Sequence, residues 1–458
     1  MSIRSYYDSI DINARELVRR SNTEKQRRAA VITFGCQQNE ADSERIRGIL
    51  LDLGFELSES YLGVDLVIFN TCAIRAHAED KVLSLIGKVR SDNRDVDGLI
   101  IGVCGCMAAE PEVVERLKTR FHYVSFTLEP NSLEWLPSLI CDFMQLDKRG
   151  FLMGIDDGGI TEDAPVVRTS DFKAWVSVMY GCNNFCSYCI VPYVRGRERS
   201  RRSDDVINEC RELVCAGVKE ITLLGQNVNS YKSDISFPGL LSRIASLDGD
   251  FTVRFMTSHP KDVSDELIAV MAEHMGKIAP YFHLPLQSGS DRILKLMNRT
   301  YDRDGFLSTV ARLRAAIPDI TLSTDVIVGF PGETEADFLD TLDILRRVEF
   351  DAVYGFAYSE RKGTRAVTFD GKVDAEIRAE RLSRLFALQD PISVRRNERY
   401  LNTEQAVLVG SVKNGVADST AKSGKLVRFE CDGVRVGDVL KVKIIKVNPY
   451  ELTGKIIK

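Results

Sequence analysis

Cys182-Asn183-Asn184-Phe185-Cys186-Ser187-Tyr188-Cys189 sets three thiols on one short loop, directly after an apolar run, residues 175–180, that reads as a strand. Thiolates kept reduced are ligands for metals and clusters. Three of them can hold three irons of a 4Fe–4S cluster and leave the fourth iron open. An open iron can chelate the amino and carboxylate groups of S-adenosylmethionine (SAM) and pass one electron to its sulfonium, which yields a 5′-deoxyadenosyl radical. Zinc is the alternative, but a structural zinc site closes with a fourth ligand. No His or Cys follows within twenty residues, and the next Cys is Cys210.

Outward from that loop the chain reads as α/β. Further strands are expected at 220–224, 252–256, 281–284, 321–328 and 352–356, with helices at 204–216, 263–274, 303–316 and 335–348. Six βα repeats predict a partial TIM-like (βα)6 barrel with its chemistry at the carboxyl ends of the strands. A long charged helix is expected from 374 to about 400. Upstream, the short apolar runs 31–34, 66–69 and 99–103 suit buried parallel strands, and 41–53 has the helical period. That is a small α/β domain with a parallel sheet. A polar linker at 146–170, including Asp156-Asp157-Gly158-Gly159, would follow it. From Arg399 the chain carries eleven Lys/Arg against six Asp/Glu, a balance of +5. Alternating runs at 406–409, 425–430, 439–447 and 452–457 predict a small antiparallel β-barrel of the oligonucleotide-binding sort. The expected domains are therefore 28–145, 168–398 and 399–458.

The chain has 458 residues, 44% of them hydrophobic and 28% charged, a soluble composition with no run of the roughly 20 apolar residues that a membrane span needs. Residues 1–28 lack the apolar core of a signal peptide, so a cytoplasmic location is expected, without a membrane partner. Eleven cysteines in a reducing compartment are unlike a disulfide framework. The net charge of −5 says nothing against a local basic patch.

Cys36, Cys72 and Cys106 each lie at or just beyond the carboxyl end of an expected strand, and in an open parallel sheet those ends face a common crevice. Free cysteines are also commonly buried small hydrophobes, so spacing alone leaves shared ligation open. Cys104, two residues before Cys106, would point to the same face of a strand. Cys141, Cys210, Cys215 and Cys431 read as packing residues. Polar or Gly-containing segments end several core strands and offer Gln226, Gln287, Ser323 and Asp325 as SAM contacts, or serve simply as βα turns. Arg195, Arg197 and Arg199, continued by Arg201 and Arg202, match the phosphates of RNA. Their alternative is a solvated loop or ion pairs with Glu198 and the acids that follow. His259 and His283, near strand ends, read as packed or substrate-facing. No acid–base residue is assigned, because hydrogen abstraction by a radical needs no base to begin.

The cysteine loop, together with Ile190-Val191-Pro192-Tyr193-Val194-Arg195-Gly196-Arg197-Glu198-Arg199-Ser200-Arg201, resembles the methylthiotransferase branch of the radical SAM superfamily. The resemblance spans an N-terminal domain, the radical core and a C-terminal TRAM domain. It implies a second 4Fe–4S cluster on Cys36, in Phe34-Gly35-Cys36-Gln37-Gln38-Asn39, on Cys72, in Asn70-Thr71-Cys72, and on Cys106, in Gly105-Cys106-Met107. It implies methylthiolation at C2 of N6-(dimethylallyl)adenosine beside the tRNA anticodon, with two SAM consumed. An electron donor such as flavodoxin or ferredoxin and a monomeric state are expected with it. The segments 224–231 and 257–262 are similar to those of the branch acting on isopentenylated adenosine. Rival readings are methylthiolation of a ribosomal-protein aspartate or of threonylcarbamoyl adenosine, and a non-catalytic tRNA-binding iron–sulfur protein. The family's Gly-Arg-Thr turn is absent around 418–425.

Overall fold

The computed structural model describes residues 11–73, 76–154 and 165–457; the Asp156-Asp157-Gly158-Gly159 stretch expected in the linker lies outside them. The described chain forms two compact units. One holds the residues up to Thr169 with Tyr180–Asn183 and Ile190–Arg199; the other holds Ser170–Met179, Asn184–Cys189 and Ser200 onward.

The first unit is built on a parallel sheet of β1 (Arg28–Thr33), β2 (Glu56–Leu57), β3 (Leu66–Thr71), β4 (Ile100–Gly105), β5 (Phe126–Leu128) and β6 (Gly150–Phe151), ordered β2-β1-β3-β4-β5-β6. Every residue of β3 and β4 is buried, as expected for central strands covered on both faces. One face packs Ile46, Ile49 and Leu50 of helix α2 (Gln37–Asp52) with Phe126 and Trp135. The other packs Val82 and Ile86 with Val103 and Leu117. Helix α1 (Asp11–Glu24) was not legible, because among its described side chains only Ala14 and Val18 join a core. The register pairs Thr33 with Asn70 and Thr71 with Gly105, so β1, β3 and β4 end together.

In the second unit the strands β7 (Lys173–Ser177), β8 (Glu220–Leu224), β9 (Thr252–Phe255), β10 (Tyr281–His283), β11 (Thr321–Val328) and β12 (Ala352–Ala357) run parallel in chain order. A bridge between Val253 and Ile278 links the two three-stranded halves. Among the described residues no ladder joins β12 back to β7, which leaves the expected six-stranded barrel open. Phe255, Phe282, Phe306, Phe338 and Phe350 fill its core. The expected long helix is present as Ala375–Asn397.

The tail closes as a five-stranded barrel: β13 (Glu404–Lys413), β14 (Val416–Ala421), β15 (Leu426–Glu430), β16 (Val439–Val447) and β17 (Glu451–Ile456). Strand β14, absent from the sequence reading, has only Ala417, Ser419 and Ala421 to point inward, and their small side chains carry little strand signal. This barrel sits in the same compact unit as the core, pinned by Asp351. Asp351, wholly buried, lies 2.8 Å from the Arg399 guanidinium and 3.6 Å from that of Arg396. Its carbonyl accepts from Lys425 Nζ at 3.0 Å. Arg254 donates to the carbonyls of Ala421 and Lys422. No helix of the described residues is long and apolar enough to cross a membrane.

Candidate cofactor sites

The aligned ends of β1, β3 and β4 bring Cys36, Cys72 and Cys106 to one edge of the first sheet. Phe34 N donates to Asn70 O at 2.8 Å, carrying β1 past its last ladder position toward Cys36. Cys36 then stands at the N-cap of α2. A Cβ on Gly35, whose φ is +138°, would stand 2.8 Å from Cys72 Cβ. Gly105 has φ +90°, and a Cβ there would meet Asn70 Oδ1 at 2.6 Å and the Thr71 carbonyl closer still. Side chains smaller than alanine at both points let the backbone close around a site. Asn39 ties the loops together: its Nδ2 donates to Thr71 O at 2.9 Å, and its Oδ1 lies 3.4 Å from Cys36 Sγ.

The turn at Gly105 corrects one expectation. Cys104 does not share a face with Cys106, because β4 ends at Gly105 and Cys106 opens a single helical turn. Cys104 packs among Ile68, Ile100, Phe126 and Leu128, and burial pushes its thiol far up. Cys106 packs instead beside Ala73, Ile190 and Val194. Burial raises its thiol also, while the Arg195 guanidinium works against the rise. Cys141 and Cys210 are buried as expected, and Cys431 packs against the C-terminal barrel core; Cys215, at the end of helix Ser203–Cys215, is exposed instead.

Arg195 stands apart from the expected RNA contacts. It is 3% exposed, with Nη1 2.6 Å from Asp42 Oδ2 and Nε donating to Cys106 Sγ at 3.3 Å, so its charge faces the cysteine site and not phosphate. Arg201 is likewise buried and paired with Glu209 at 2.6 Å. Arg197 is exposed and Arg199 half-buried.

On the core loop, Cys182 N donates to Gly196 O at 3.1 Å within the first unit. In the second, Cys189 N donates to Cys186 O at 2.9 Å, and Asn298 Nδ2 holds the carbonyls of Asn184 and Phe185. Arg299, whose role no sequence signal marked, donates to Cys186 Sγ at 3.4 Å and to Pro285 O at 2.9 Å. Both cysteine sets offer three thiols. Among the described residues no three His, Cys, Asp or Glu side chains converge as one metal ion requires. Three thiols are the donor set of a 4Fe–4S cluster with one open iron, and these residue types fit it.

Of the expected SAM contacts, Gln287, Ser323 and Asp325 come together at β11. Gln287 N donates to Asp325 O at 2.8 Å, and the buried Gln287 Oε1 has no partner among the described residues. Ser323 Oγ lies 2.9 Å from His283 Nδ1 and 2.6 Å from Tyr281 Oη, and His283 Nε2 lies 3.3 Å from Asp325 Oδ2. Gln226 lies two residues beyond the end of β8 and is half-buried. His259 is packed: its ring meets Tyr301 edge-on, and burial, helped by Arg299 and Lys261, lowers its pKa from 6.5 to about 2.

Residues 176–345 match the model of the radical SAM superfamily, and residues 28–128 match that of the uncharacterized protein family UPF0004. Among solved structures, the radical S-adenosylmethionine methyltransferase TsrM from Kitasatospora setae is similar in fold, with a TM-score of 0.57 at 12% identity over 81% of this chain and 91% of that one. The cobalamin-dependent radical enzyme OxsB follows at 0.51 and 11% over 80% of this chain and 56% of that one. A tRNA-2-methylthio-N(6)-dimethylallyladenosine synthase of Acetivibrio thermocellus is 44% identical over 98% of this chain and 94% of its own. That of Caldicellulosiruptor saccharolyticus is 43% identical over 93% and 92%. With identity of that order running from the first sheet through the core to the C-terminal barrel, the chain belongs to the family of tRNA-2-methylthio-N(6)-dimethylallyladenosine synthases, within the radical SAM superfamily.

Proposed function

We propose that this protein places a methylthio group on C2 of N6-(dimethylallyl)adenosine beside the anticodon of tRNA. The observation that carries this reading is the gathering of Cys36, Cys72 and Cys106 at one sheet edge, in a chain whose core loop bears Cys182, Cys186 and Cys189. The radical SAM core implies SAM and a 4Fe–4S cluster. A second cluster, on the N-terminal cysteines, is the finer part of the proposal. When bound, the clusters and SAM supply the radical, the methyl group and the sulfur, chemistry that side chains cannot provide.

The chain's own residues bind, orient and exclude water. Cys182, Cys186 and Cys189 would hold one cluster, and Arg299 keeps a donor on the Cys186 sulfur. Gln287 offers an acceptor without a partner among the described residues for the SAM amine, beside Ser323 and Asp325, and Gln226 would add a contact from beyond the end of β8. Arg197 and Arg199 are the phosphate contacts assigned in the motif that follows the loop. The C-terminal barrel, residues 399–458, would add RNA affinity, beside a first domain at 28–145 and a core at 168–398. Apolar contact with the prenyl tail would contribute roughly 25 cal/mol per Å² buried. A monomer in the cytoplasm, served by a flavodoxin or ferredoxin, completes the reading.

Reconstituted protein should methylthiolate an anticodon stem-loop bearing the prenyl group and act poorly on the same RNA with plain adenosine. Equal turnover would exclude prenyl-dependent selection, and preference for a threonylcarbamoyl RNA or a ribosomal protein would move the chain to another branch. Absence of 5′-deoxyadenosine under reductant would favour a binding protein. Cys36→Ala/Cys72→Ala/Cys106→Ala should lose about half the iron yet retain reductive SAM cleavage, since each thiolate set supports its own cluster.

A further inference from the structure

Arg195 lies six residues beyond Cys189 in the chain, yet it belongs to the first unit, at the edge where Cys36, Cys72 and Cys106 gather. Its backbone is fixed: Arg195 N donates to Val191 O at 2.8 Å, and Asn131 Nδ2 donates to Arg195 O at 2.9 Å. Two of its three guanidinium nitrogens are used. Nη1 pairs with Asp42, itself buried and further held by Gln38 Nε2 at 3.1 Å, and Nε donates to Cys106 Sγ. The third, Nη2, is buried and has no partner among the described residues. A buried N–H left without an acceptor costs about 1–3 kcal/mol, more on a charged group, so such a donor calls for one. An ion pair alone needs no fork, whereas Arg presents several donors in fixed directions.

We propose that Arg195 is a positioning residue for the cluster that Cys36, Cys72 and Cys106 would hold, with Nε on the Cys106 thiolate and Nη2 donating to a sulfur of the cluster itself. The proposal rests on the assignment of those three ligands. Asp42 plays the orienting part that a carboxylate plays behind a metal-bound His. Hydrogen bonds to ligand sulfur withdraw electron density and favour the reduced cluster, so Arg195 raises the reduction potential of this cluster. The segment that follows the radical SAM cysteines in sequence thereby serves the other cysteine set.

The test uses the full chain in a Cys182→Ala/Cys186→Ala/Cys189→Ala background, where only the N-terminal set can bind iron. If that background binds none, the ligand assignment fails, and the proposal with it. Given iron, Arg195→Met/Asp42→Asn removes both charges at once, so neither is left buried without its partner. Arg195→Lys keeps the pair with Asp42 and withdraws the fork. Potentiometric titration followed by electron paramagnetic resonance should read a more negative potential in both, with the smaller shift in Arg195→Lys. A merely structural role would change the melting temperature and leave the potential where it was. If the double variant fails to fold or to take up iron, the potential of Arg195→Lys decides. A potential equal to that of the background protein in a folded, iron-loaded variant overturns the proposal.

Discussion

Gly105 turns the chain out of β4 so that Cys104 and Cys106 go separate ways, and its φ of +90° is one that only glycine adopts without cost. Gly105→Ala should cost about 1–3 kcal/mol through backbone strain and the collision with Thr71. Iron analysis should then read a loss of roughly half the iron, since one of two three-thiolate sets is displaced, with SAM cleavage retained. Full iron in the variant would mean that the loop absorbs the added carbon without moving Cys106. His259 supplies a pH signature. Its pKa falls from 6.5 to about 2 in the folded chain because the ring is buried, with Arg299 and Lys261 beside it. The unfolded chain therefore binds a proton below pH 6.5 that the native chain refuses. Stability present above that pH declines as the pH falls toward 2, by about 2 kcal/mol at pH 5. His259→Asn keeps an acceptor for Lys261 N and should flatten the drop in urea midpoint between pH 7 and pH 5.

At the scale of elements, the seam between β12 and the C-terminal barrel depends on one carboxylate. Asp351 is wholly buried, accepts from Leu322 N at 2.9 Å, and faces Arg396, Arg399 and Lys425. Burial lowers Lys425 to about 8 even with Asp351 beside it, so these cations depend on the carboxylate. Asp351→Asn leaves like charges crowded in a dry site and should destabilise the chain by about 3–5 kcal/mol, read from the denaturant midpoint. A change under 1 kcal/mol would mean that water reaches the seam. Removing residues 399–458 would leave Asp351 without Arg399 and Lys425, so such a truncation tests folding as well as RNA binding.

For the molecule as a whole, point substitutions separate docking from folding. Lys441, Lys443 and Lys446 lie exposed on β16, where Val442 and Ile444 turn inward. Replacing all three with Gln should weaken tRNA binding and reduce the slope of log K against log salt by up to about 0.7–0.9 per lost phosphate contact. Reductive SAM cleavage should stay unchanged, because the substituted face belongs to the barrel and to none of the cysteine sites. An unaltered salt slope would place the RNA elsewhere on the chain.

The sequence by itself determined the fold class and the strands that matter most. Residues 66–69 and 99–103 are apolar runs that end in polar or Gly-containing turns, and such a run stays legible whatever packing buries it. It also marked six cysteines as candidate ligands, because the core trio is a local spacing and the other three follow strand ends. Tertiary structure alone decided what faces what. Arg195 reads as one more cation in a basic run, and only Asp42, 153 residues away in sequence, and Cys106, 89 residues away, reveal it as an internal donor. Arg299 carries no signal until Cys186, 113 residues off, is beside it. Cys104 and Cys106 are two apart on paper, and the positive φ of Gly105, fixed by contacts with β3, parts them. Periodicity is a property of neighbours along the chain, whereas the partner of a buried charge is chosen by folding, from residues that no local pattern brings together.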